Sequence, residues 1–464
     1  MKEFTIAELI EITGGTFREP DSGKKGRSFT GVSIDSRTIK AGDCFFAVRG
    51  EHFDGHDYVS NAFAKGAACA VVEKDPSGKN FGGNCILKVN DTIKALGDLA
   101  GEYRRRANFK IVAITGSAGK TTVRQIIHHV LSNHFRVHQS PKSFNNKIGL
   151  PLTLLGADLQ DEIIIAELGS NHPGEISYLT RIAAPEIAVV TNVYPAHLEG
   201  FGDLQTIIQE KLSISEGLPN DGILIINADC EGLVDVCRAN GTKFITFGKS
   251  ESSDYQAENI RCEGSSGRFT IENTEIHLPL AGPGNLENAL AAWTVCSQLG
   301  LTIDQFASAV ENLPAVSMRS EVLQIGTLTI LNDCYNANPA SMKNALQILA
   351  GLDPAGKRRL VFICGDMAEL GNQAEHFHVE LGTIIVKTGV KLLLTVGKLA
   401  KIAAETAKST ARYNMQIKCF DDTLSACNNL HEFIKDNDII LVKGSRTAML
   451  EKVVEKLKEL TNDN

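Results

Sequence analysis

The sequence predicts an α/β protein of three domains: a small mixed N-terminal domain, a central domain with a phosphate loop on a parallel sheet, and a second α/β domain at the C-terminus. Three observations carry that expectation. The chain has 464 residues, and at roughly 150 residues per domain that suggests about three units. Short β-branched runs alternate with helical segments, and the alternation restarts once. A single glycine loop stands between a predicted strand and a predicted helix.

The first stretch reads as mixed. A short helix is expected over 4–14, ending at Gly14-Gly15, then strand-like chain around a turn over 33–50. A helical period covers 57–66, and 68–72 reads as a strand. A helix over 90–106, with Asp91 or Thr92 near its cap, leads into the next domain.

From Lys110 the pattern changes. Strands are predicted at 111–114, 163–166, 187–191, 223–226 and 244–247, with helices between them. Apolar runs of this kind, buried on both faces, argue a parallel sheet with crossover helices. Residues 261–280 alternate as an antiparallel hairpin turning at Ser265-Ser266-Gly267, and a helix follows over 286–299. Pro314 marks a boundary. Beyond it strands are expected at 328–331, 360–364, 392–396 and 439–442, with a final amphipathic helix over 449–460. The expected domains are 1–86, 87–314 and 315–464.

Composition narrows the function classes. Hydrophobic residues make up 43% and charged residues 22%, an ordinary globular mix. The net charge is -8, with no like-charge block beyond Arg104-Arg105-Arg106. Nucleic-acid binding is disfavoured, because it needs basic surface that displaces counterions. Eleven cysteines are scattered without a CxxC pair, so neither a disulfide framework nor a zinc site is indicated. The N-terminus has no apolar signal region, and no run is long enough to cross a membrane. A cytoplasmic protein with no membrane anchor is expected.

The sharpest local signal is Thr115-Gly116-Ser117-Ala118-Gly119-Lys120-Thr121-Thr122, between the strand at 111–114 and a helix over 123–131. A glycine loop there lets backbone N–H groups surround phosphate oxygens, and the helix N-terminus adds positive potential. Lys120 can reach terminal phosphates, and the Thr121 hydroxyl can ligate Mg²⁺. The general pattern has glycine five residues before Gly119, where this chain has Ile114. The bland alternative is a strand-to-helix turn with incidental glycines.

Ligands of parallel sheets sit beyond the carboxyl ends of the strands. Glu167 and His197 follow two such ends. Magnesium takes oxygen ligands, so Glu167 with Thr121 is a candidate pair. Taken singly, each residue is as readily structural, Glu167 as a salt-bridged carboxylate and His197 as a packed imidazole.

These residues resemble the Mur ligase family, whose ATP loop has the same shortened form. Glu167-Leu168-Gly169-Ser170-Asn171-His172-Pro173-Gly174-Glu175-Ile176 resembles its second block, and Thr191-Asn192-Val193-Tyr194-Pro195-Ala196-His197-Leu198-Glu199-Gly200-Phe201-Gly202 its third. Asp35-Ser36-Arg37, with Gly42-Asp43-Cys44-Phe45-Phe46-Ala47 and Asp54-Gly55-His56, looks like the domain that takes the UDP-sugar end. Asp333-Cys334-Tyr335-Asn336-Ala337-Asn338-Pro339-Ala340-Ser341-Met342, Gly365-Asp366-Met367-Ala368-Glu369-Leu370-Gly371 with His376, and Lys443-Gly444-Ser445-Arg446 resemble the branch that adds D-Ala-D-Ala.

The resemblance implies an N-terminal UDP-substrate domain, a central P-loop ATPase domain and a C-terminal Rossmann-like domain. It implies ATP-dependent joining of D-Ala-D-Ala to UDP-N-acetylmuramoyl-tripeptide (UDP-MurNAc-tripeptide) through an acyl phosphate, by a monomer, in peptidoglycan precursor synthesis. Two Mg²⁺ ions follow, one on Thr121 and Glu167, the other involving His197 and a carbamylated Lys211. Lys120, Glu167, His197 and Lys211 are the implied catalytic set. Around Lys211 the run Gln209-Glu210-Lys211-Leu212-Ser213 departs from the commoner family pattern, and an ordinary exposed lysine is the alternative.

ATP contacts are implied for Thr115 to Thr122, for Asn285 and Asn288 on the adenine side, and for Arg319 and Asp333. Gly284 stands where the family more often has an aromatic residue or histidine, and Arg124 where lysine is common. Asn285 equally suits a helix N-cap. Ser33, Asp35, Ser36, Arg37, Asn171, Asn336 and Asn338 are the implied substrate contacts, although Tyr335-Asn336-Ala337-Asn338-Pro339 also reads as turn chemistry. Two competing functions stay open: a sibling ligase adding the third peptide residue, and a P-loop ATPase that is no ligase.

Overall fold

In the computed structural model, which describes residues 1–17, 26–50, 52–76, 81 and 84–462, each predicted unit forms around its own sheet. The helix Ile6–Thr13 begins at a capping box: Thr5 accepts from the Glu8 amide, and Glu8 accepts from the Thr5 amide. It ends at Gly14, whose φ of 67° is the left-handed stop that glycine adopts without strain. Behind it lies a five-stranded sheet in the order Thr16–Phe17, Ile86–Lys88, Cys69–Val72, Asp43–Phe46, Gly31–Ser33. Its first pair is antiparallel and the rest parallel.

The helix Thr92–Arg106 joins this unit to the next. Asp91 caps it, its carboxylate accepting the amides of Ile93 and Lys94 at 2.8 Å each. At its far end the Arg104 guanidinium donates to the carbonyls of Ala183, Phe109 and Ala184. The helix packs against Ile6–Thr13 on one side and against Gly149–Gly156 and Glu175–Ala183 on the other.

The central sheet has seven parallel strands in the order Tyr255–Gln256, Ile245–Gly248, Ile223–Asn227, Ile187–Val190, Lys110–Thr115, Ile163–Glu167, Val137–Gln139. The glycine-loop strand therefore lies between the two strands that deliver Glu167 and His197. The short edge strand Val137–Gln139 is absent from the sequence reading, because its half-buried Val-His-Gln run has neither the length nor the apolar content of a core strand.

The expected hairpin over 261–280 is instead three antiparallel strands, Glu258–Glu263, Ser266–Ile271 and Thr274–Leu278. Ser266 and Gly267 pair within the ladder rather than turning. The turns fall at Gly264 and at Glu272-Asn273, all with positive φ.

The C-terminal sheet has the order Glu321–Ile325, Leu328–Asn332, Ile439–Lys443, Leu360–Gly365, Leu392–Val396, Gln416–Phe420, and only its first pair is antiparallel. Both edge strands escape the sequence reading, since their partly exposed, partly polar runs do not look like buried strands. All eleven cysteines are free and most are buried. Among the described residues no helix is long and apolar enough to cross a membrane.

Candidate active site

A cavity of about 980 Å³ opens between the central and C-terminal units. One wall is the glycine loop, from Ser117 to Thr122. The other is built from Arg319, Asp333, Tyr335, Asn336, Asn338 and Lys443.

The loop's shape follows from its glycines. Gly116 has φ 144° and Gly119 has φ 83°, conformations that residues with a Cβ rarely adopt. A Cβ at Gly116 would meet the Thr191 hydroxyl at 2.1 Å, and one at Gly119 the Asn288 side-chain oxygen at 2.2 Å. The neighbouring strand end braces the loop from behind. The Ser117 amide donates to the Asn192 carbonyl at 3.0 Å, the Ala118 amide to Asn192 Oδ1 at 2.8 Å, and the Thr191 hydroxyl to the Ala118 carbonyl at 2.6 Å. Lys120 folds back to donate to the Gly116 carbonyl at 2.6 Å. Burial lowers its pKa, opposed by Glu167 and reinforced by Arg319.

Glu167 is buried at its strand end. It accepts from the Thr121 hydroxyl at 2.9 Å and from the Asn145 side-chain amide at 3.0 Å. The buried Arg124 guanidinium lies 3.6 Å from it, and among the described residues Arg124 Nε has no hydrogen-bond partner. The hydroxyl–carboxylate pair beside the loop is an oxygen donor set that fits a hard divalent cation.

His197 lines the cavity, held at φ 53° just before the short helix Leu198–Phe201. Its Nδ1 bonds the carboxylate of Glu369, a residue of the C-terminal unit. That bond holds the Glu369 carboxyl below the usual carboxylate range.

Lys211 is buried behind the cavity wall. It donates to the Ser170 hydroxyl at 2.8 Å, and its ammonium lies 5.4 Å from the centre of the Phe201 ring. Burial, with Lys120 adding, pulls its pKa down to about 7. The exposed-lysine alternative is thereby overturned.

In the C-terminal wall, Lys443 donates to Asp333 Oδ2 at 2.6 Å and to the Asn336 carbonyl at 2.9 Å. The Tyr335 ring has Arg319 over it at 4.1 Å and Arg446 at 5.8 Å, while its hydroxyl donates to Ser143 of the central unit at 2.5 Å. Asn338 is the N-cap of the helix Pro339–Gly351 and accepts the Ser341 amide at 2.8 Å.

Asn285 and Asn288 both line the cavity, with Asn288 donating to Asn285 Oδ1 at 3.2 Å. Asn285 is not a cap. Gly282 starts that helix and Pro283 is its first residue, so the Asn285 side chain is turned back onto the Ala281 carbonyl.

Of the other sequence candidates, Asn171 lines the cavity. Ser33, Asp35, Ser36 and Arg37 do not; they form a separate turn in which Arg37 pairs with Asp35 at 2.8 Å. Sequence reading assigned no role to Asn145, Asn192, Lys249, Glu287, Asn344 or Lys443, all of which line the cavity. Asn192 and Lys443 sit inside motifs already picked out. Glu287 lies between Asn285 and Asn288, and the rest lie in chain without a local signature.

Three family models match along the chain: "Mur ligase family, catalytic domain" over residues 28–107, "Mur ligase middle domain" over 114–296, and "Mur ligase, glutamate ligase domain" over 318–446. A UDP-N-acetylmuramoyl-tripeptide–D-alanyl-D-alanine ligase of Bacillus subtilis is 34% identical over 98% of both chains. One of Escherichia coli is 35% identical over 99% of both. Among solved structures, MurF from Acinetobacter baumannii superposes with a TM-score of 0.89 at 28% identity over 99% of both chains. MurF ligase from Thermotoga maritima in complex with ADP gives 0.81 at 27% identity, over 93% of this chain and 98% of that one. With models covering most of its length and relatives matched almost end to end, the chain belongs to the Mur ligase family.

Proposed function

We propose that this chain is an ATP-dependent ligase joining D-Ala-D-Ala to UDP-MurNAc-tripeptide in cytoplasmic peptidoglycan precursor synthesis. One observation carries this reading: the match to ligases of that name runs almost end to end and so includes the C-terminal unit. The working units are taken as 1–86 for the UDP-substrate, 87–314 for ATP and 315–464 as the closing Rossmann-like domain.

A carboxylate is a poor electrophile until its oxygen becomes a leaving group. The γ-phosphoryl group of ATP passes to the terminal carboxylate oxygen of the tripeptide, and ADP departs. The dipeptide amine then attacks the acyl carbon. The tetrahedral intermediate collapses with cleavage of the C–O bond to phosphate and loss of the amine proton, leaving amide and phosphate. Two anions must meet in the first step, so the site needs dense positive charge. Lys120, the amides of Gly119 to Thr122 at the start of the helix Lys120–Leu131 and Arg319 supply it. Asn285 and Asn288 face the base, and Asp333 fixes Lys443 on the nucleotide side.

Thr121 and Glu167 are the residues that would hold one Mg²⁺, and His197 with a carbamylated Lys211 the second. Bound magnesium neutralises charge between the phosphates and the incoming carboxylate. Lys211 suits carbamylation because an amine with a pKa near 7 is largely unprotonated at mildly basic pH, and only the free amine attacks carbon dioxide. Ser33, Asp35, Ser36 and Arg37 are assigned to the UDP end, and Asn171, Asn336 and Asn338 to the peptide ends. The enzyme acts as a monomer.

The test is phosphate release with ATP, Mg²⁺ and UDP-MurNAc-tripeptide, with and without D-Ala-D-Ala. The expected result is release that depends on the dipeptide, with a product heavier by that dipeptide. Release triggered instead by a single amino acid on the shorter UDP-dipeptide overturns the assignment in favour of a sibling. ATP hydrolysis indifferent to any amine overturns the ligase reading.

A further inference from the structure

His197 and Glu369 are 172 positions apart in the chain and belong to different domains. They meet at the lip of the cavity. The contact has two strands: the imidazole Nδ1 bonds the Glu369 carboxylate, and the Glu199 amide donates to the Glu369 carbonyl at 3.2 Å. Both residues sit in left-handed backbone, His197 at φ 53° and Glu369 at φ 62°. Such conformations persist in residues other than glycine only where the surroundings enforce them. Beside it the two domains stay in contact: a Cβ at Gly371 would lie 3.4 Å from Glu199 Cα.

A neutral imidazole offers one donor and one acceptor, and which nitrogen carries the proton is set by the partner of the other. A carboxylate at Nδ1 keeps the proton there. Nε2 is then the basic nitrogen, and it has no hydrogen-bond partner among the described residues. Imidazole is a less natural partner for magnesium than oxygen, so any role for His197 beside an ion or a substrate proton requires the Nε2 lone pair to be correctly aimed.

We propose that Glu369 is a positioning residue, carried in by the C-terminal domain, that fixes the tautomer and aim of His197, so that the catalytic centre is complete only when that domain is docked. The proposal rests on the reading that His197 works at this centre. Closure thus changes the chemistry of a central-domain side chain as well as bringing the C-terminal wall to the cavity.

The experiment is a double-mutant cycle in the full-length enzyme with His197→Ala, Glu369→Ala and the pair, plus Glu369→Gln. Two readouts are taken: steady-state turnover, and Mn²⁺ affinity by electron paramagnetic resonance with ADP present. Loss of a carboxylate that orients a metal-site histidine typically costs about 10–100-fold in affinity or activity. Glu369→Ala is expected to lower kcat by about that factor, leave the KM for ATP within about threefold, and weaken Mn²⁺ binding. Gln, which still accepts from Nδ1–H, recovers part of both. The double variant is expected to be no worse than His197→Ala. If His197→Ala is crippled while Glu369→Ala stays within about twofold of wild type in both readouts, the proposal falls and the site reading stands. Losses that multiply in the double variant also overturn it. If His197→Ala keeps wild-type turnover, the reading beneath it falls as well.

Discussion

Among the described residues Lys120 has one hydrogen-bond partner, the Gly116 carbonyl behind it. That makes it a side chain whose removal should leave the fold intact. Lys120→Ala is expected to lower kcat by about 10²–10³-fold or more, the scale of losing one preorganised charge at a reacting centre. Its Tm in calorimetry should stay within about 2 °C of wild type. Lys211 is the opposite case, a cation that the fold itself disfavours. Below about pH 7 folded and unfolded chains both hold its proton, and the burial penalty is fully present. Above that, and up to its ordinary 10.5, the unfolded chain keeps a proton that the folded chain has lost. The unfolded state then binds more protons, so stability rises with pH. Protein freed of carbon dioxide should gain Tm between about pH 7 and about pH 9, and Lys211→Met should remove that gain.

At the scale of elements, one cap separates two roles. Asn338 closes the N-terminus of Pro339–Gly351 and also faces the cavity. Asn338→Ala should cost about 1 kcal/mol in denaturant unfolding, the usual value of such a cap. Asn338→Asp keeps the cap, so a raised KM for the dipeptide in that variant would identify a substrate contact separate from the helix. The strands that carry the loop, Glu167 and His197 are legible in the sequence because they are buried on both faces and read as continuous β-branched runs. The edge strands are not, since half their surface is wet and their composition follows solvent rather than core. The same division runs through the site. The glycine loop announces itself because its spacing is local. Glu369 beside His197 and Ser143 beside Tyr335 do not, because only the docking of two domains brings them together.

For the whole molecule, the cavity belongs to neither domain alone. The phenol of Tyr335 reaches across to Ser143 while its ring lies against Arg319 and Arg446. Tyr335→Phe keeps the ring and removes the bridge. A single such bond is worth about 1 kcal/mol, so kcat/KM for ATP is expected to fall about fivefold, with a slightly larger radius of gyration by solution scattering. The outer strand Glu258–Glu263 of the small antiparallel sheet has a different consequence. It is almost wholly exposed and ends a ladder, leaving backbone groups available to any passing strand. Glu258, Arg261 and Glu263 stand along it, so another chain adding there would have to strip water from their charges. In a crowded compartment that row of charge makes strand-on-strand growth between copies costly at this edge.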